Sequence, residues 1–166
     1  TQTYSKMEAT EESIKDMSGN SPGILHIATH GFYLPFDTKK TKDNSNDKNF
    51  SSIEDPMFRS GLILAGGNLK WKENIDVPGR DDGILTAYEI SQLDLSKTEL
   101  VVLSACETGL GDIQGSEGVY GLQRGFKSAG VKNMIITLWQ IPDKESSEFM
   151  SMFYTKWLKD KKDISA

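Results

Sequence analysis

Sulfur and imidazole are scarce in this sequence, which has one Cys and two His among 166 residues. A single Cys excludes a disulfide framework within the chain and a Cys-rich zinc site. Two His and one Cys cannot fill a four-ligand structural zinc site without help from carboxylates. We predict neither a metal nor a cofactor, and chemistry that uses thiol or imidazole groups is confined to a few positions.

Clustered positive charge and long apolar runs are also missing. The 19 Lys and Arg are outnumbered by 24 Asp and Glu, which gives a net charge of −5. Binding to nucleic acid or to an anionic membrane surface needs clustered Lys and Arg, so we expect neither partner. No stretch approaches the roughly 18 consecutive apolar residues that a membrane-spanning helix needs.

The length suits a single domain over residues 1–166, and 37% hydrophobic with 26% charged residues is a globular composition. Residues 1–10 lack the apolar core of a signal peptide, and the chain does not begin with Met. The last residues carry no helix-stop signal. We expect a fragment of a longer chain and, with no signal and one free thiol, a cytoplasmic setting.

Four short apolar runs predict buried strands at residues 24–29, 61–67, 100–103 and 134–139. Helical patterns separate the later runs. Thr86 and Glu89 form a capping-box pair, and Gly130 is a typical helix stop. Pro142 with Asp143 opens a last amphipathic helix. Strands that alternate with helices imply βαβ units and a parallel sheet covered on both faces.

The stretch from residue 33 to residue 58 is polar and is interpreted as a loop insertion. Loops of this length inside a compact domain are uncommon, and they are usually functional or disordered. Because residues 33–58 border the end of the first predicted strand, they are a candidate lid or cleavable regulatory loop. A disordered surface loop is the alternative.

The rare reactive side chains occur where two predicted strands end. His30 closes the first strand, and Cys106 follows the third. Ligands of open parallel sheets bind beyond the carboxyl ends of the strands, so a thiol nucleophile and an imidazole can meet there. Gly31 lets the backbone approach a substrate, and its N–H with that of Cys106 can form an oxyanion hole. The alternative for a lone Cys after a buried strand is an inert small hydrophobe.

His26 lies within the first predicted strand and is expected to be a core histidine with satisfied hydrogen bonds. A metal shared by His26 and His30 is rejected, because four residues of extended strand separate them by roughly 13 Å. The pair of His30 and Cys106 is therefore the candidate for chemistry.

Two segments around these residues resemble the CHAT domain, a family of caspase-like cysteine peptidases in the group of caspases, separases and gingipains. They are residues 24–31, ILHIATHG, and residues 101–109, VVLSACETG. Further matches follow in the family's order at residues 60–66, 82–87, 118–122 and 138–143. The resemblance covers about residues 9–160. It implies a three-layer α/β/α caspase-like fold with a mostly parallel sheet.

Position by position, the resemblance implies that Cys106 is the nucleophile and His30 the general base or acid. It further implies that Gly31 and Cys106 are the main-chain oxyanion donors. The implied activity is that of a cysteine endopeptidase, which forms a thioester that water hydrolyses. Ser-Ala-Cys stands where caspases have Gln-Ala-Cys, so caspase-type specificity for Asp is not implied. A residue that orients His30 is not evident, and a backbone carbonyl suffices.

Peptidases of this group bind the side chain before the scissile bond in a pocket formed by the loops after the Cys strand and the next strand. Asp112, Glu117 and Asp143 are acidic residues in these segments and are the candidates for the pocket, and an acidic pocket favours Arg or Lys. The alternatives are an N-cap role for Asp143 and a favourable interaction of Glu117 with a helix dipole. Trp139 is either a pocket wall or a core residue.

The resemblance also implies partners, because the family is commonly attached to helical repeats. We expect a protein or peptide substrate, and regulation by an N-terminal tetratricopeptide-type region or a separate protein. One alternative is a catalytically silent scaffold of the same fold for protein–protein signalling, against which the presence of both His30 and Cys106 counts. Another is an amidase or other acyl-transfer enzyme that uses the dyad on a small molecule.

Overall fold

The computed structural model describes residues 1–35, 54–75, 78–104, 115–136 and 142–159. The strands in these ranges are β1 (Ile24–Ala28), β2 (His30–Tyr33), β3 (Ser60–Ile63), β4 (Ile84–Thr86), β5 (Leu100–Ser104) and β6 (Asn133–Ile136). The helices are α1 (Glu11–Lys15), α2 (Gly67–Glu73), α3 (Ala87–Ser91), α4 (Gly115–Ser128) and α5 (Asp143–Tyr154). A 3₁₀ turn at Lys6–Glu8 precedes α1, and a π-helical turn at Thr155–Lys159 continues α5. The chain has a mixed α/β fold.

Three of the four predicted apolar runs form a parallel sheet in the order β1, β5, β6. The register places Leu25 beside Val101 and Val101 beside Met134. Residues 100–103 of the middle strand β5 are all buried, because a strand covered on both faces has no side that meets water. This explains the unbroken apolar run and confirms the prediction of a parallel sheet.

A second sheet is antiparallel and has the order β2, β3, β4. The apolar run at residues 61–67 supplies β3, so this run belongs to the second sheet and not to the parallel one. Strands β2 and β4 were not predicted from the sequence. Strand β2 follows β1 after the single residue Thr29, and β4 has three residues, too few to display a period of two. The expected parallel pairing therefore holds for the first sheet alone.

Apolar side chains pack against both faces of β5. The larger buried cluster contains Leu103 of β5 together with Phe126 of α4. The smaller cluster contains Val102 of β5 together with Met150 of α5. Because consecutive residues of a strand point to opposite faces, the two clusters lie on opposite sides of the parallel sheet.

The helix boundaries follow the sequence signals with one correction. Thr86 and Glu89 form the predicted capping box: the Thr86 hydroxyl accepts the Glu89 N–H at 3.2 Å, and the Glu89 carboxylate accepts the Thr86 N–H at 2.9 Å. Gly130 follows α4 with a φ of 95°, a conformation that favours glycine. Pro142 occupies the N-cap position of α5 and Asp143 is the first helical residue, so Asp143 is not the N-cap.

The carboxylate of Glu11 in helix α1 is buried, with 1% of the residue exposed. It accepts a hydrogen bond from the Gly83 N–H at 2.9 Å and pairs with the Lys15 ammonium at 2.6 Å. The same ammonium lies 3.2 Å from Asp81 and 3.4 Å from Glu89. These contacts hold α1 against the segment that leads into β4.

Three carboxylates around one ammonium leave an excess of negative charge in this cluster. Burial raises the pKa of Glu11 to about 7; the charges of Glu89 and Asp81 act in the same direction, and Lys15 opposes them. Burial lowers the pKa of Lys15, but the hydrogen bond and charge of Glu11 with the neighbouring carboxylates outweigh burial and raise it. Lys15 therefore stays charged while Glu11 takes up a proton near neutral pH.

Replacing the Glu11 carboxyl by an amide is expected to remove the loss of unfolding free energy that the parent shows as the pH rises. The folded-state pKa of about 7 exceeds the ordinary value of 4.5, so the folded chain binds this proton more tightly and loses stability as the pH rises through that window. Glu11→Gln keeps an acceptor for the Gly83 N–H and does not titrate. Its unfolding free energy relative to the parent should rise by on the order of 2 kcal/mol between about pH 5 and about pH 8. Urea unfolding followed by circular dichroism measures this change.

Glu8→Gln is the matched control, because Glu8 is exposed on the preceding 3₁₀ turn. This variant should keep the pH dependence of the parent. If Glu11→Gln also followed the parent curve at every pH, the raised pKa of Glu11 would be wrong.

Candidate active site

The candidate site begins where β1 and β5 leave the parallel sheet. The last pair of residues in this ladder is Ala28 and Ser104. His30 follows Ala28 by two residues, and Cys106 follows Ser104 by two residues. Neighbouring strands lie about 4.8 Å apart, so the chain departs toward both residues from adjacent points of one edge. Cys106 itself lies outside the described residues.

The backbone at His30 is held by strand β3. His30 is the first residue of β2 and pairs with Ile63, and the hydroxyl of the preceding Thr29 donates to the backbone carbonyl of the same Ile63. Two consecutive residues are thus tied to one residue of β3. His30 remains exposed to solvent, as a residue that meets a substrate must be.

Close packing at Gly61 supports the strand that carries His30. Gly61 pairs with Phe32 across the β2–β3 ladder. A Cβ at Gly61 would lie 2.5 Å from the Leu85 carbonyl oxygen and 2.8 Å from the Phe32 ring, so a larger residue does not fit without movement. Gly31 is buried within β2, and its role as an oxyanion donor stays a prediction.

His26 makes two hydrogen bonds and is exposed, which corrects the expectation of a core position. Its Nε2 atom lies 3.2 Å from the Ser104 hydroxyl, and its Nδ1 atom lies 3.1 Å from the Tyr154 hydroxyl. The expectation of satisfied hydrogen bonds is confirmed. Partial burial of the imidazole lowers the pKa of His26. The rest of the side chain is open to water, because β1 is an end strand of the parallel sheet in the described residues.

Sequence reasoning did not identify the partners of His26. Ser104 carried a weak signal, because it stands two residues after Val102, the partner of His26 in the ladder, and therefore on the same face. Tyr154 is 128 residues away from His26, and no local pattern links two such positions.

The residues predicted for the substrate pocket are described only in part. Asp112 and Trp139 lie outside the described residues, as do residues 36–53 of the predicted loop insertion. Glu117 lies in the first turn of α4, and Asp143 is the first residue of α5. Acidic residues at helix N-termini are favoured by the helix dipole. The pocket role of all four residues stays a prediction.

Two further features were sought in the described parts of the chain. No group of three or more His, Cys, Asp or Glu side chains that would suit a metal ion is found there. None of the helices described combines the length and the apolar character needed to cross a bilayer.

The family model of the CHAT domain matches the whole chain, residues 1–166. The chain therefore belongs to the CHAT domain family, which is related to the caspase-like cysteine peptidases. This match confirms the resemblance that the sequence segments indicate.

Among curated proteins, the chain is similar to Tetratricopeptide repeat protein 28 of Mus musculus, with 34% identity, and of Homo sapiens, with 31% identity. Each match extends over 83 residues, which is 50% of this chain and 3% of the relative. The chain thus spans a very small part of the length of these relatives. No solved structure matches the chain.

Gly61→Ala is expected to destabilise the sheet that carries His30. The added methyl group would overlap the Leu85 carbonyl and the Phe32 ring. Overpacking of this kind costs about 1–3 kcal/mol of unfolding free energy, and more where the backbone has to move. Urea unfolding measures the loss, and the imidazole resonances of His30 in NMR spectra report a change at the site.

Gly23→Ala is the control for this substitution, because nothing lies within 4 Å of a Cβ at Gly23. The control should unfold at the parent urea concentration. Equal midpoints for Gly61→Ala and Gly23→Ala would contradict the close packing of β2 against β3.

Proposed function

We propose that this chain is a cysteine endopeptidase domain that hydrolyses peptide bonds of protein substrates through a dyad of Cys106 and His30. The observation that carries the proposal is the pairing of Ala28 with Ser104, since each proposed catalytic residue follows a member of that pair by two residues. Membership in the CHAT domain family supports the same chemistry.

In the proposed reaction, His30 accepts the thiol proton of Cys106, and the thiolate sulfur attacks the carbonyl carbon of the scissile bond. The backbone N–H groups of Gly31 and Cys106 donate to the oxyanion of the tetrahedral intermediate. His30 then protonates the leaving amine, and a thioester remains. Water, deprotonated by His30, hydrolyses the thioester and releases the free thiol.

The proposal includes a three-layer α/β/α fold of the caspase-like type, as a single domain over residues 1–166 with the polar insertion at residues 33–58. Its support is the pair of apolar clusters on opposite faces of β5. One cluster draws on α3 and α4, and the other draws on α5. Helices on both faces leave the ends of the strands as the accessible edge, where the dyad is proposed.

Substrate preference and regulation are part of the same proposal. Asp112, Glu117 and Asp143 would favour Arg or Lys before the scissile bond, with Trp139 as a wall of the pocket. Regulation by an attached tetratricopeptide-type region, or by a separate protein, is supported by the names of the similar proteins. We place the reaction in the cytoplasm, where a lone thiol stays reduced.

The test uses fluorogenic peptides that end in Arg, Lys, Asp or Leu, incubated with the full chain and, in parallel, with the chain and its regulatory region. We expect the fluorophore to be released from the peptides that end in Arg or Lys. Cys106→Ala and His30→Ala should each lower kcat/KM about a thousandfold or more, because nucleophile and base act as one unit. Ser91→Ala on α3 is the control and should retain the parent rate.

If the Cys106→Ala or the His30→Ala variant still released the fluorophore, the proposal would be overturned. No release by the chain with its regulatory region would favour the catalytically silent scaffold. Preferred release of the fluorophore from peptides that end in Asp or Leu would agree with the proposed dyad and contradict the proposed acidic pocket.

A further inference from the structure

A hydrogen-bonded bridge joins three elements beside the proposed site, and it consists of Tyr154, His26 and Ser104. Tyr154 is the last residue of α5, His26 lies in the middle of β1, and Ser104 ends β5. The two distances of 3.1 Å and 3.2 Å are normal for hydrogen bonds of an imidazole. The rings of His26 and Tyr154 are also in contact, with centroids 5.9 Å apart.

The direction of the two hydrogen bonds follows from the acidities of the groups. The lowered pKa of His26 keeps its ring neutral at neutral pH, so one nitrogen carries a proton and the other accepts one. A phenol loses its proton more readily than an aliphatic hydroxyl and is the stronger donor. We therefore assign the Tyr154 O–H as donor to Nδ1 and the Nε2–H as donor to the Ser104 oxygen. Ser104 keeps its own proton for another acceptor.

Ser104 at the end of β5 is held through both its backbone and its side chain. The backbone of Ser104 is held by its pairing with Ala28, and its side chain is held by His26. Cys106 stands only two residues further along the chain. The bridge thus contacts the side chain of the last residue of β5, close in sequence to the proposed nucleophile.

The surroundings of His26 distinguish it from a residue that only packs. Its partner in the ladder, Val102, is buried in the apolar cluster that faces α5. His26 instead borders an open cavity of about 960 Å³, which Tyr154 and Leu158 also line. An apolar side chain at this position could pack against these neighbours, but it could not make the hydrogen bonds that join the two hydroxyls.

We infer that His26 is a positioning residue for the proposed peptidase reaction, and that it acts through Ser104 on the segment that bears Cys106. The inference rests on the proposed function, because it assumes that Cys106 reacts beside His30. This role is exerted through Ser104 and requires no contact of His26 with the substrate. His26 holds the end of β5 so that the thiol meets the imidazole of His30 in the orientation that the reaction needs.

Loss of the bridge has a defined consequence for the thiol. A thiolate that pairs with an imidazolium has a pKa below the ordinary value of about 8.5. If the end of β5 shifts, this pairing weakens and the pKa of the thiol rises. A rise of one unit in this pKa lowers the thiolate fraction about tenfold at a pH well below both values.

The test measures the rate of alkylation of Cys106 by iodoacetamide as a function of pH, quantified by mass spectrometry on the Cys106 peptide of the full chain. His26→Leu removes both hydrogen bonds, and Ser104→Ala removes only the one to β5. We expect each variant to raise the midpoint of the alkylation rate by about one pH unit and to slow alkylation about tenfold at a pH well below both midpoints. His26→Gln, which keeps a donor and an acceptor, should restore part of the rate.

Two comparisons separate positioning from packing. Tyr154→Phe leaves the link between His26 and Ser104 intact, so its midpoint should move less than that of Ser104→Ala. Ser91→Ala removes a hydroxyl from α3 and should leave the midpoint unchanged. Circular dichroism and urea unfolding of every variant confirm that alkylation reports the folded chain, and Ser104→Ala serves if His26→Leu does not fold.

His30→Ala separates the inference from the proposal on which it rests. If His30→Ala raises the midpoint and His26→Leu and Ser104→Ala do not, the dyad stands and the positioning role of His26 is wrong. If His30→Ala leaves the midpoint unchanged, the proposed dyad is wrong. A rise for all three variants, with partial recovery in His26→Gln, supports both.

Discussion

The backbone ladder between β1 and β5 is the interaction on which the rest of the molecule depends. Its register runs from Ile24 beside Leu100 to Ala28 beside Ser104. Because side chains alternate along a strand, a slip by one residue would turn the buried residues of β1 to the opposite face. It would also carry His26 away from the Ser104 hydroxyl. One set of hydrogen bonds therefore decides both the core and the positions from which the chain continues toward His30 and Cys106.

Hydrogen bonds also connect the segment around helix α1 to the residues that follow β3. The Ala65 N–H donates to the Ala9 carbonyl at 2.9 Å, and the Leu64 N–H donates to the Gly83 carbonyl at 2.8 Å. With the hydrogen bond from Gly83 to Glu11, these contacts connect α1 to the end of β3. Since β3 also holds Thr29 and His30, the backbone near the proposed base is supported by a charged cluster as well as by the sheet. A buried carboxylate that titrates near neutrality makes this support sensitive to pH.

Strands β1, β5 and β6 could be predicted because each falls in a short apolar run, although only β5 is buried along residues 100–103. The Thr86 capping box could be predicted because it is complete within four residues. Strands β2 and β4 could not, since what makes them strands is their pairing with β3. The burial of Glu11 has no local signal either, because its partner Gly83 is distant in sequence. At the site, the ends of strands indicated His30, whereas the partner of His26 on α5 follows only from tertiary structure. Short-range chemistry was thus visible in the sequence, and long-range pairing was not.

Thr29 is the entire connection between β1 and β2, which belong to sheets of different type. A link of one residue cannot absorb a change in chain length. One inserted residue between Ala28 and His30 would shift the register of β1 against β5 or of β2 against β3, and a shift by one residue turns the side chains of that strand to the opposite face. The connection from β2 to β3 spans residues 34–59 and carries no such constraint, because the entropy of closing a long connection changes little with one added residue. Insertions and deletions among proteins of this fold are therefore expected after Tyr33 and not between β1 and β2.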